Sequence, residues 1–582
     1  MNPTTLIACC ALLTPVALGQ NIIFVDDDAG GADDGTSWND AFQSLEEALA
    51  LAKDFDQVWV AQGVYQPKAN GDETSSFIIP NFVSVYGGFE GDESDPADRD
   101  DWLANASVLL GELTGGVGDI NHIVTISGLD GCLLDGFVIQ SGHAQASLAN
   151  PNGAGILIEN SDAALKNLAV LDCTAAGNGG AIAILGEGIV TIDDSFFDSN
   201  NGAYGGALYA EWPVQVTNCE FTDNVAAFTG GAVHLAGQGV HDLRDSRFEG
   251  NTAGDGGGAI HSALQRVNTT TATLVTNSVF VGNTTDNTGG DGGAILFTSD
   301  GQHEVQRCRF IGNYSIDEGG AIATDLTSIS RLLIENSLIS GNIAVDRGAG
   351  VFQTGPGELW ITNSTILGND GGNNGAGVFT FNGDFLLANS ILWDNSNVNT
   401  AGDPRQDEFS FNGGPSRSID VAYSRVQFWG TSPVSGAIDT SGEVPGLAQP
   451  LGADGIYGTE DDNAALAPGA AAIDAANNLY VGPLGFLDIE GNNRFQDDTG
   501  TPDTGVQSGF GGTADIGAFE FQGTTVPCPA DCDGNGTLNL DDVDCFVAAF
   551  LASDAAADCD ASGTLNLDDV DCFVASFLGG CP

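Results

Sequence analysis

Basic residues are scarce in this sequence. Against 79 Asp and Glu residues stand only 15 Lys and Arg, which gives a formal charge of −64 over 582 residues. Nucleic acids, anionic membranes and polyuronic acids carry charge of the same sign, so the sequence predicts no nucleic-acid partner and no polyanion unless cations bridge the contact. A hydrated acidic surface that keeps the chain soluble in salt is the simplest explanation of this charge.

Long apolar runs are scarce as well. One run, Leu6 to Leu18, is followed by Gly19 and indicates a secretory signal over residues 1–20, although no Lys or Arg stands near its start. No later run reaches the length of a membrane span. We therefore expect a secreted or cell-surface protein in an oxidising compartment, without a membrane span.

Glycine is abundant, with 82 residues, and much of it belongs to a repeat. One phrase consists of two small residues, then Ala or Gly, then an aliphatic residue, and it begins at Gly153, Gly179, Gly205, Gly230, Gly257, Gly292, Gly319, Gly348 and Gly375. A second phrase places Asn three residues after an apolar residue, from Phe197/Asn200 to Leu392/Asn395. Repeats of this length cannot bury a face alone and must stack on their neighbours.

The stacked unit is predicted to be a turn of sheet. Short β-rich runs alternate with Gly and Asn turns, and no segment between Asn121 and Asn395 has a helical period. Coils stacked in parallel at roughly 4.8 Å make a parallel β-helix. The aliphatic residue of each first phrase then points inward, and each Asn of the second phrase bonds the equivalent Asn of the next coil in an αL-tolerant bend.

The remaining regions follow from this prediction. Leu45, Ala48, Leu49 and Ala52 form an amphipathic helix that covers the open end of the stack, followed by a strand at 58–60. We predict a signal peptide (1–20), an N-terminal cap and first strands (21–120), repeats (121–400), irregular last coils and a C-terminal cap (401–521), a linker (522–530) and a separate domain (531–582). Four cysteines in or beside the coil, Cys132, Cys173, Cys219 and Cys308, are predicted to be single thiols.

One outward column offers a candidate ligand surface. Tyr209, His234 and His261 are predicted to stack on successive coils, with Phe352 and Phe379 further along. Aromatic rings beside carboxylates suit a glycan, and paired carboxylates suit a glycosidase. We therefore take these five residues as candidate ligand contacts, and Glu211, His234, His261 and Asp325 as weak catalytic candidates. A decorated exterior without function remains open.

The few Lys and Arg residues add no further catalytic candidate. Arg247 is expected to form a cross-strand ion pair with Glu220 on the preceding coil. Arg307, Arg309 and Arg331 form the only other cluster, on which no substrate can be placed.

The C-terminus carries two calcium-loop patterns. Oxygen-bearing side chains recur at loop positions 1, 3, 5, 9 and 12, with a backbone carbonyl at position 7 and Gly at position 6. The predicted ligands are Asp531, Asp533, Asn535, Thr537, Asn539 and Asp542, and then Asp558, Asp560, Ser562, Thr564, Asn566 and Asp569. A helix with one apolar face follows each loop, from Val543 and from Val570. Ser562 is a poorer ligand than Asn535, so the second site is expected to be weaker.

Several phrases carry a family resemblance. The two repeated phrases resemble those of chlamydial polymorphic membrane proteins, and the stack resembles the pectate-lyase-like superfamily of right-handed parallel β-helices. Residues 25–28 with 35–38 are similar to the start of many secreted bacterial β-helix proteins. Residues 467–474 with 515–520 look like the end of the family called choice-of-anchor Q. These resemblances imply an all-β right-handed parallel β-helix solenoid.

The two loop–helix units resemble a cysteine-containing type I dockerin, an EF-hand-like module. This resemblance implies anchoring to a cohesin-like or other surface receptor, while a calcium-stiffened domain without a partner remains the alternative. The six cysteines allow 15 pairings. Internal symmetry favours Cys532 with Cys545, Cys559 with Cys572, and Cys528 with Cys581.

Three functions remain open. The first is a secreted or cell-surface β-helix that binds a glycan or a surface partner and is anchored through its calcium module. The second is a polysaccharide lyase or glycoside hydrolase on the same scaffold. The third is a structural envelope or matrix protein.

Overall fold

The structure is a computed structural model. It describes residues 21–67, 73–99, 101–112, 119–264, 271–298, 300–397, 405–412, 418–427, 441–482, 485–498, 500–507, 512–522, 540–552, 557, 569–570, 572–574 and 577. The described chain divides into two compact units. The first contains the stacked coils and continues to Glu520; the second contains the residues from Phe521 on, together with residues 497–499. The predicted signal peptide lies outside the described residues.

The first unit is a parallel β-helix, as predicted, whose central coils each contribute to three sheets. Sheet 1 has twelve strands, each of the central ones following a glycine phrase. They are Phe77–Ile78, Val124–Ser127, Ile156–Glu159, Ile182–Leu185, Leu208–Ala210, Val233–Gly237, Ile260–Leu264, Ile295–Phe297, Ile322–Asp325, Val351–Thr354, Val378–Phe381 and Phe409–Asn412.

Sheet 2 has 25 strands because most coils contribute two, separated by a bend. They are Ile22–Val25, Gln57–Ala61, Gly63–Tyr65, Ser84–Phe89, Ser107–Leu110, Leu133–Gln140, Ala163–Leu171, Val190–Asp193, Phe196–Asp198, Val214–Thr217, Glu220–Thr222, Val240–Arg244, Arg247–Glu249, Ala272–Thr276, Val279–Val281, Gln302–Gln306, Arg309–Ile311, Arg331–Glu335, Leu338–Ser340, Glu358–Thr362, Thr365–Leu367, Asp384–Ala388, Ile391–Trp393, Ile419–Ala422 and Arg425–Val426.

Sheet 3 has ten two-residue strands. They are His143–Ala144, Thr174–Ala175, Asn201–Gly202, Val225–Ala226, Thr252–Ala253, Thr284–Thr285, Tyr314–Ser315, Ile343–Ala344, Asp370–Gly371 and Ser396–Asn397. A short antiparallel pair joins Leu447–Gln449 to Asn463–Leu466. The α-helices in the described ranges are Leu45–Leu51, Arg405–Glu408 and Leu540–Ala552. None of them is long and apolar enough to cross a membrane.

The predicted register of sheet 1 is confirmed. Ile156, Ile182, Leu208, Val233, Ile260, Ile295, Ile322, Val351 and Val378 pair in succession from coil to coil. All of these side chains are fully buried, so they form one wall of the core. Phe197, Phe221, Phe248, Phe280 and Phe310 stack along the opposite wall, with ring centroids 4.7–4.9 Å apart.

The asparagine ladder is also confirmed, with one correction. The Asn200 amide donates to Asn224 Oδ1 at 3.0 Å, and equivalent bonds continue to Asn395, whose amide donates to buried Glu408. The αL conformation was expected at these Asn residues, but it falls on the residue before each one, such as Asp223 and Gly282. The Asn side chain therefore points into the stack, where it satisfies buried backbone groups.

The four cysteines beside the coil are single thiols, as expected. Cys173, Cys219 and Cys308 are buried and Cys132 is partly buried. Burial raises the pKa of each thiol to about 12, so these side chains remain protonated and pack as small apolar groups.

The N-terminal helix matches its prediction. Leu45, Ala48 and Leu49 are buried against the apolar core of the first coils. The predicted strand after it is Gln57–Ala61.

The region predicted to cap the last coil behaves differently. One further coil forms at 409–426, and the chain then returns along the outside of sheet 2. We call residues 446–496 and 512–520 the returning segment. Its residues Ala464, Ile489, Ala518 and Phe519 pack on Leu338 and Leu367. The prediction of irregular last coils and a C-terminal cap over 401–521 did not include this contact, in which apolar residues of the returning segment cover a side of the stack.

In the second unit, the helix Leu540–Ala552 forms where the sequence predicts it. Phe546 stacks on Phe573 at 4.1 Å, and Val543, Phe550 and Val570 pack beside them. The predicted single apolar face is divided, since Val547 and Leu551 are 47 % and 80 % exposed.

Candidate functional site

The turns from sheet 3 to sheet 1, together with the outward side chains of sheet 1, form one long surface. We call it the turn edge. The predicted column lies here, since Tyr209 pairs with His234 and His234 with His261. The Tyr209 and His234 rings stack at 5.4 Å, and the His234 and His261 rings meet edge to face at 4.9 Å.

The two histidines are less accessible than predicted. His234 and His261 are only 6 % and 8 % exposed because the preceding turn covers them. Thr229 Oγ1 lies 2.9 Å from His234 Nδ1 and 2.7 Å from His261 Nδ1, and Thr298 Oγ1 lies 2.8 Å from His261 Nε2. Burial lowers the pKa of His234 to about 4 and lowers the pKa of His261 well below its usual value. Both rings are therefore neutral near pH 7 and are held by hydroxyl groups.

Phe352 and Phe379 are also covered. They are 3 % and 2 % exposed and pack with Leu296 and Ala323. The Arg347 guanidinium lies over both rings, 5.7 Å from the Phe352 centroid and 4.9 Å from that of Phe379. The expectation of exposed rings at these two positions is thus wrong. Strand alternation predicts that a side chain points away from the core, but it does not predict whether a neighbouring turn covers that side chain.

Two other aromatic residues, which the sequence analysis did not identify, expose their rings on this surface. Tyr204 and Phe228 lie in successive turns, 37 % and 44 % exposed, and their rings stack at 5.0 Å. Tyr204 also meets His234 edge to face at 5.2 Å. The signal that could have found them is their position one and two residues before the glycine phrase, where several other coils carry Asp or Asn and none carries another aromatic residue.

Glu211 and Asp325 lie on this surface but far apart. Glu211 accepts from Tyr209 Oη at 3.4 Å, whereas exposed Asp325 ends a strand four coils further along. Four coil steps correspond to roughly 19 Å. Carboxyl groups of a glycosidase stand about 5–9.5 Å apart, so these two do not form a catalytic pair.

A different group of carboxylates meets within the turn edge. Asp291, Asp317, Glu318 and Asp346 lie on three successive turns, and Asp291 Oδ1 accepts from the Glu318 backbone N–H at 3.2 Å. Oxygen atoms of Asp317, Glu318 and Asp346 lie within 4.8 Å of one another. Arg347 forms ion pairs with Glu318 and with Asp346, so one guanidinium faces four acids.

Two of these carboxyl groups titrate near neutrality. Burial, then the charge of Asp317, raises the pKa of Asp291 to about 6. Burial raises the pKa of Glu318 to about 7, opposed by Arg347 and supported by Asp291 and Asp317. Perturbed carboxyl groups in a cleft are characteristic of functional sites, and a proton-donating carboxyl group beside an ionised one is what glycoside hydrolysis requires.

The other predicted sites have the following outcomes. The calcium-loop ligands from Asp531 to Asn539 and from Asp558 to Asn566 lie outside the described residues, as does the side chain of Asp542, so these sites stay a prediction. Asp569 is described and buried.

Glu220 pairs in register with Arg247, but the predicted ion pair between them is wrong. Arg247 instead binds Glu249 at 2.8 Å and Glu460 of the returning segment at 2.7 Å.

Two family models match the chain. One is described as a right handed beta helix region and matches residues 130–321. The other is described as a protein of unknown function (DUF1565) and matches residues 29–207. Each covers less than half of the chain. A comparison with curated proteins found no match.

Solved structures similar to this chain include the pectate lyase Pel9A and a rhamnogalacturonan lyase. The first is 13 % identical, with a TM-score of 0.33, over 86 % of this chain and 96 % of that one. The second is 14 % identical, with a TM-score of 0.27, over 69 % of this chain and 89 % of that one. The first family model and the stacked parallel strands agree that this chain contains a right-handed β-helix region.

Proposed function

We propose that the protein is a secreted or cell-surface β-helix that binds a neutral glycan along the turn edge and is anchored through its C-terminal calcium module. The observation that carries the glycan proposal is the combination of exposed stacked rings, Tyr204 and Phe228, with the carboxyl groups that begin two coils further at Asp291. Aromatic rings contact the apolar faces of sugars, and carboxylates accept bonds from their hydroxyl groups.

The formal charge of −64 favours a neutral glycan over an acidic one, because the cluster from Asp291 to Asp346 adds four carboxylates and, in Arg347, one guanidinium to a surface of the same sign. Tyr209 and Glu211 lie beside Tyr204 and extend the proposed contact. His234 and His261 then act as supports for the exposed rings, since hydroxyl groups already occupy Nδ1 of His234 and both nitrogens of His261.

The test is retention of the protein on a panel of neutral polysaccharides, with polygalacturonate as the acidic counterpart. We expect the Tyr204→Ala/Phe228→Ala double variant to lose at least tenfold in affinity. The matched control is Phe55→Ala/Phe82→Ala, which removes another exposed stacked pair, with centroids 5.3 Å apart, at the N-terminal coils. Equal loss in both variants, or preference for polygalacturonate, would contradict the proposal.

A glycoside hydrolase is the second candidate, and the raised pKa values of Asp291 and Glu318 favour it. In that case Glu318 is the proton donor and Asp291 the ionised partner. Released oligosaccharides, read by mass spectrometry, should disappear in Glu318→Gln and in Asp291→Asn while retention persists. Turnover that survives both substitutions would remove this candidate.

The anchoring part of the proposal is tested separately. Addition of calcium, but not of magnesium at the same concentration, should raise the melting temperature of the C-terminal domain. Asp533→Asn should weaken this response more than Asp560→Asn, because the second loop has the poorer ligand Ser562. A calcium response that both substitutions leave unchanged would count against these loops.

A further inference from the structure

A groove runs along the bend of sheet 2, on a different side of the coil from the turn edge. The bend residues Asp194, Asn218, Asp245 and Asn277 form one wall, each with φ between 48° and 56°. Outward residues of the following strands, among them Glu220 and Val279, form the other wall of a cavity of about 520 Å³. A second cavity of about 300 Å³ continues it past Asn277 and Val279 to the returning segment at Glu490. We call this the bend groove.

The chain itself fills the continuation of the bend groove. In the following coils the same αL position is taken by Arg307 and then by Asn336, Asn363 and Asn389, and the returning segment lies across the three Asn residues. Asn336 Nδ2 donates to the Leu487 carbonyl at 2.9 Å. Asn389 exchanges two hydrogen bonds with the backbone of Asn477, at 3.0 and 2.8 Å. The bend column is therefore a surface that binds polypeptide backbone through its side-chain amides.

One arginine of the returning segment fixes this contact. Arg494 is fully buried, and its Nε donates to Asn336 Oδ1 at 2.7 Å. Its Nη2 donates to the carbonyls of Asn363 at 3.2 Å and of Gly517 at 2.6 Å. Backbone hydrogen bonds and one inserted guanidinium thus hold the returning segment on the bend.

The open part of the bend groove has the same αL backbone geometry as the part that the returning segment fills, and it carries more negative charge. Asp245 stands where Asn336 stands three coils later, and Glu220 and Asp245 are both exposed. Arg247, on the second strand, is already engaged by Glu249 and Glu460. At the two ends of the open part, Lys166 pairs with Asp194 at 3.3 Å and Arg307 Nε donates to Asn277 Oδ1 at 2.9 Å. Glu220 and Asp245, in the middle, form no ion pair with a base of the described residues. A guanidinium that enters the open part would therefore meet a carboxylate where Arg494 meets an amide, and charge-assisted hydrogen bonds are the stronger kind.

We propose that the open bend groove, from Asp194 to Asn277, binds an extended basic segment of another polypeptide, held as the chain holds its own returning segment. The groove spans three coil steps, roughly 14 Å, which accommodates about four extended residues. This inference is independent of the glycan proposal, because it concerns a different side of the coil.

The test uses the full chain and fluorescein-labelled dodecapeptides of Gly and Ser that contain three Arg, three Glu or no charged residue. We expect the Arg peptide alone to bind at physiological salt. Asp245→Asn combined with Glu220→Gln should weaken this binding at least tenfold, because it removes both carboxylates. The Asn at 245 still accepts the 2.8 Å bond from Asn277 Nδ2 and tolerates αL geometry, so the fold is retained.

The matched control is Asp223→Asn, an exposed Asp in the same αL conformation at the other bend of the coil. Non-specific attraction to the acidic surface predicts the same small loss for each carboxylate removed, so that Asp245→Asn alone would match Asp223→Asn, and that result would overturn the proposal. Val279→Trp, which fills the groove without changing charge, should also abolish binding. Absence of Arg-peptide binding, or its displacement by maltohexaose, would equally overturn the assignment to a polypeptide.

Discussion

At the scale of single residues, Asp291 and Glu318 carry the most informative chemistry. Both remain partly protonated near neutral pH, chiefly because burial disfavours their charged forms and secondarily because the stacked turns bring other carboxylates such as Asp317 close to them. An acid whose pKa is higher in the folded than in the unfolded state binds more protons when folded. The stability that it contributes is present at low pH and is lost as the pH rises through the folded pKa.

Asp291→Asn should therefore stabilise the protein at pH 8 and have little effect at pH 4. The window runs from the ordinary pKa of 3.8 to the folded value of about 6, and the expected gain is about 1–3 kcal/mol. Urea unfolding at the two pH values measures it. A variant that is destabilised equally at both pH values would show that the Asp291 carboxylate is not penalised by burial.

His241 makes the opposite prediction. Its ring is fully buried in the core, neither ring nitrogen has a hydrogen-bond partner among the described residues, and burial lowers its pKa to about 3. The unfolded state takes up a proton near pH 6.5 while the folded state does not, so stability falls as the pH drops from 6.5 towards 3.

His241→Leu should remove this acid sensitivity and raise stability at pH 7 by about 1–3 kcal/mol, since an unpaired buried polar group is replaced by an apolar one. The difference in unfolding free energy between variant and parent should grow by about 1.4 kcal/mol per pH unit below 6.5. A constant difference across this range would contradict the neutral, unpartnered ring.

At the scale of elements, the αL glycines that directly precede the ladder asparagines show how the returning segment is accommodated. Gly282 and Gly341 have φ of 60° and 61°, but a Cβ at Gly282 would meet nothing within 4 Å. A Cβ at Gly341 would overlap sterically with the backbone of Gly458 in the returning segment. The glycine at 341 is therefore required by a close approach as well as by its conformation.

Gly282→Ala should cost about 1–2 kcal/mol, the conformational penalty alone. Gly341→Ala should cost more and should increase hydrogen exchange of backbone amides in residues 456–464, because the turn at Gly458 must move. Thermal unfolding and exchange mass spectrometry measure both effects. Identical behaviour of the two variants would contradict close packing of the returning segment on this bend.

The local elements were predictable from sequence because each repeat carries its own signal. The glycine phrase fixes the strand that follows, and the apolar residue three before Asn fixes the Phe stack. The returning segment was not predictable, since its partners lie far away in sequence, as Arg494 and Asn336 show. Burial of His234 was missed for a related reason: Thr229 and Tyr204, which cover it, belong to turns whose paths the strand pattern does not determine.

At the scale of the whole molecule, the charge of −64 opposes compaction of the chain. Salt screens the repulsion between exposed charges, and the screening length falls from about 30 Å at 0.01 M to about 3 Å at 1 M salt. The β-helix should therefore be more stable at high than at low ionic strength.

We expect the melting temperature to rise steadily from 0.01 M to 1 M sodium chloride, and potassium chloride to act equally, because screening does not depend on ion identity. Calorimetry with the two salts checks this. A melting temperature that falls with salt would indicate that ion pairs such as Arg247–Glu460 outweigh the repulsion.

The most direct test of the glycan proposal is a crystal structure of the protein soaked with a neutral hexasaccharide that its retention assay has selected. We predict sugar rings on the turn edge, in contact with Tyr204 and Phe228 and extending towards Asp291. Sugar density in the bend groove or elsewhere, or an empty turn edge at saturating hexasaccharide, would contradict it.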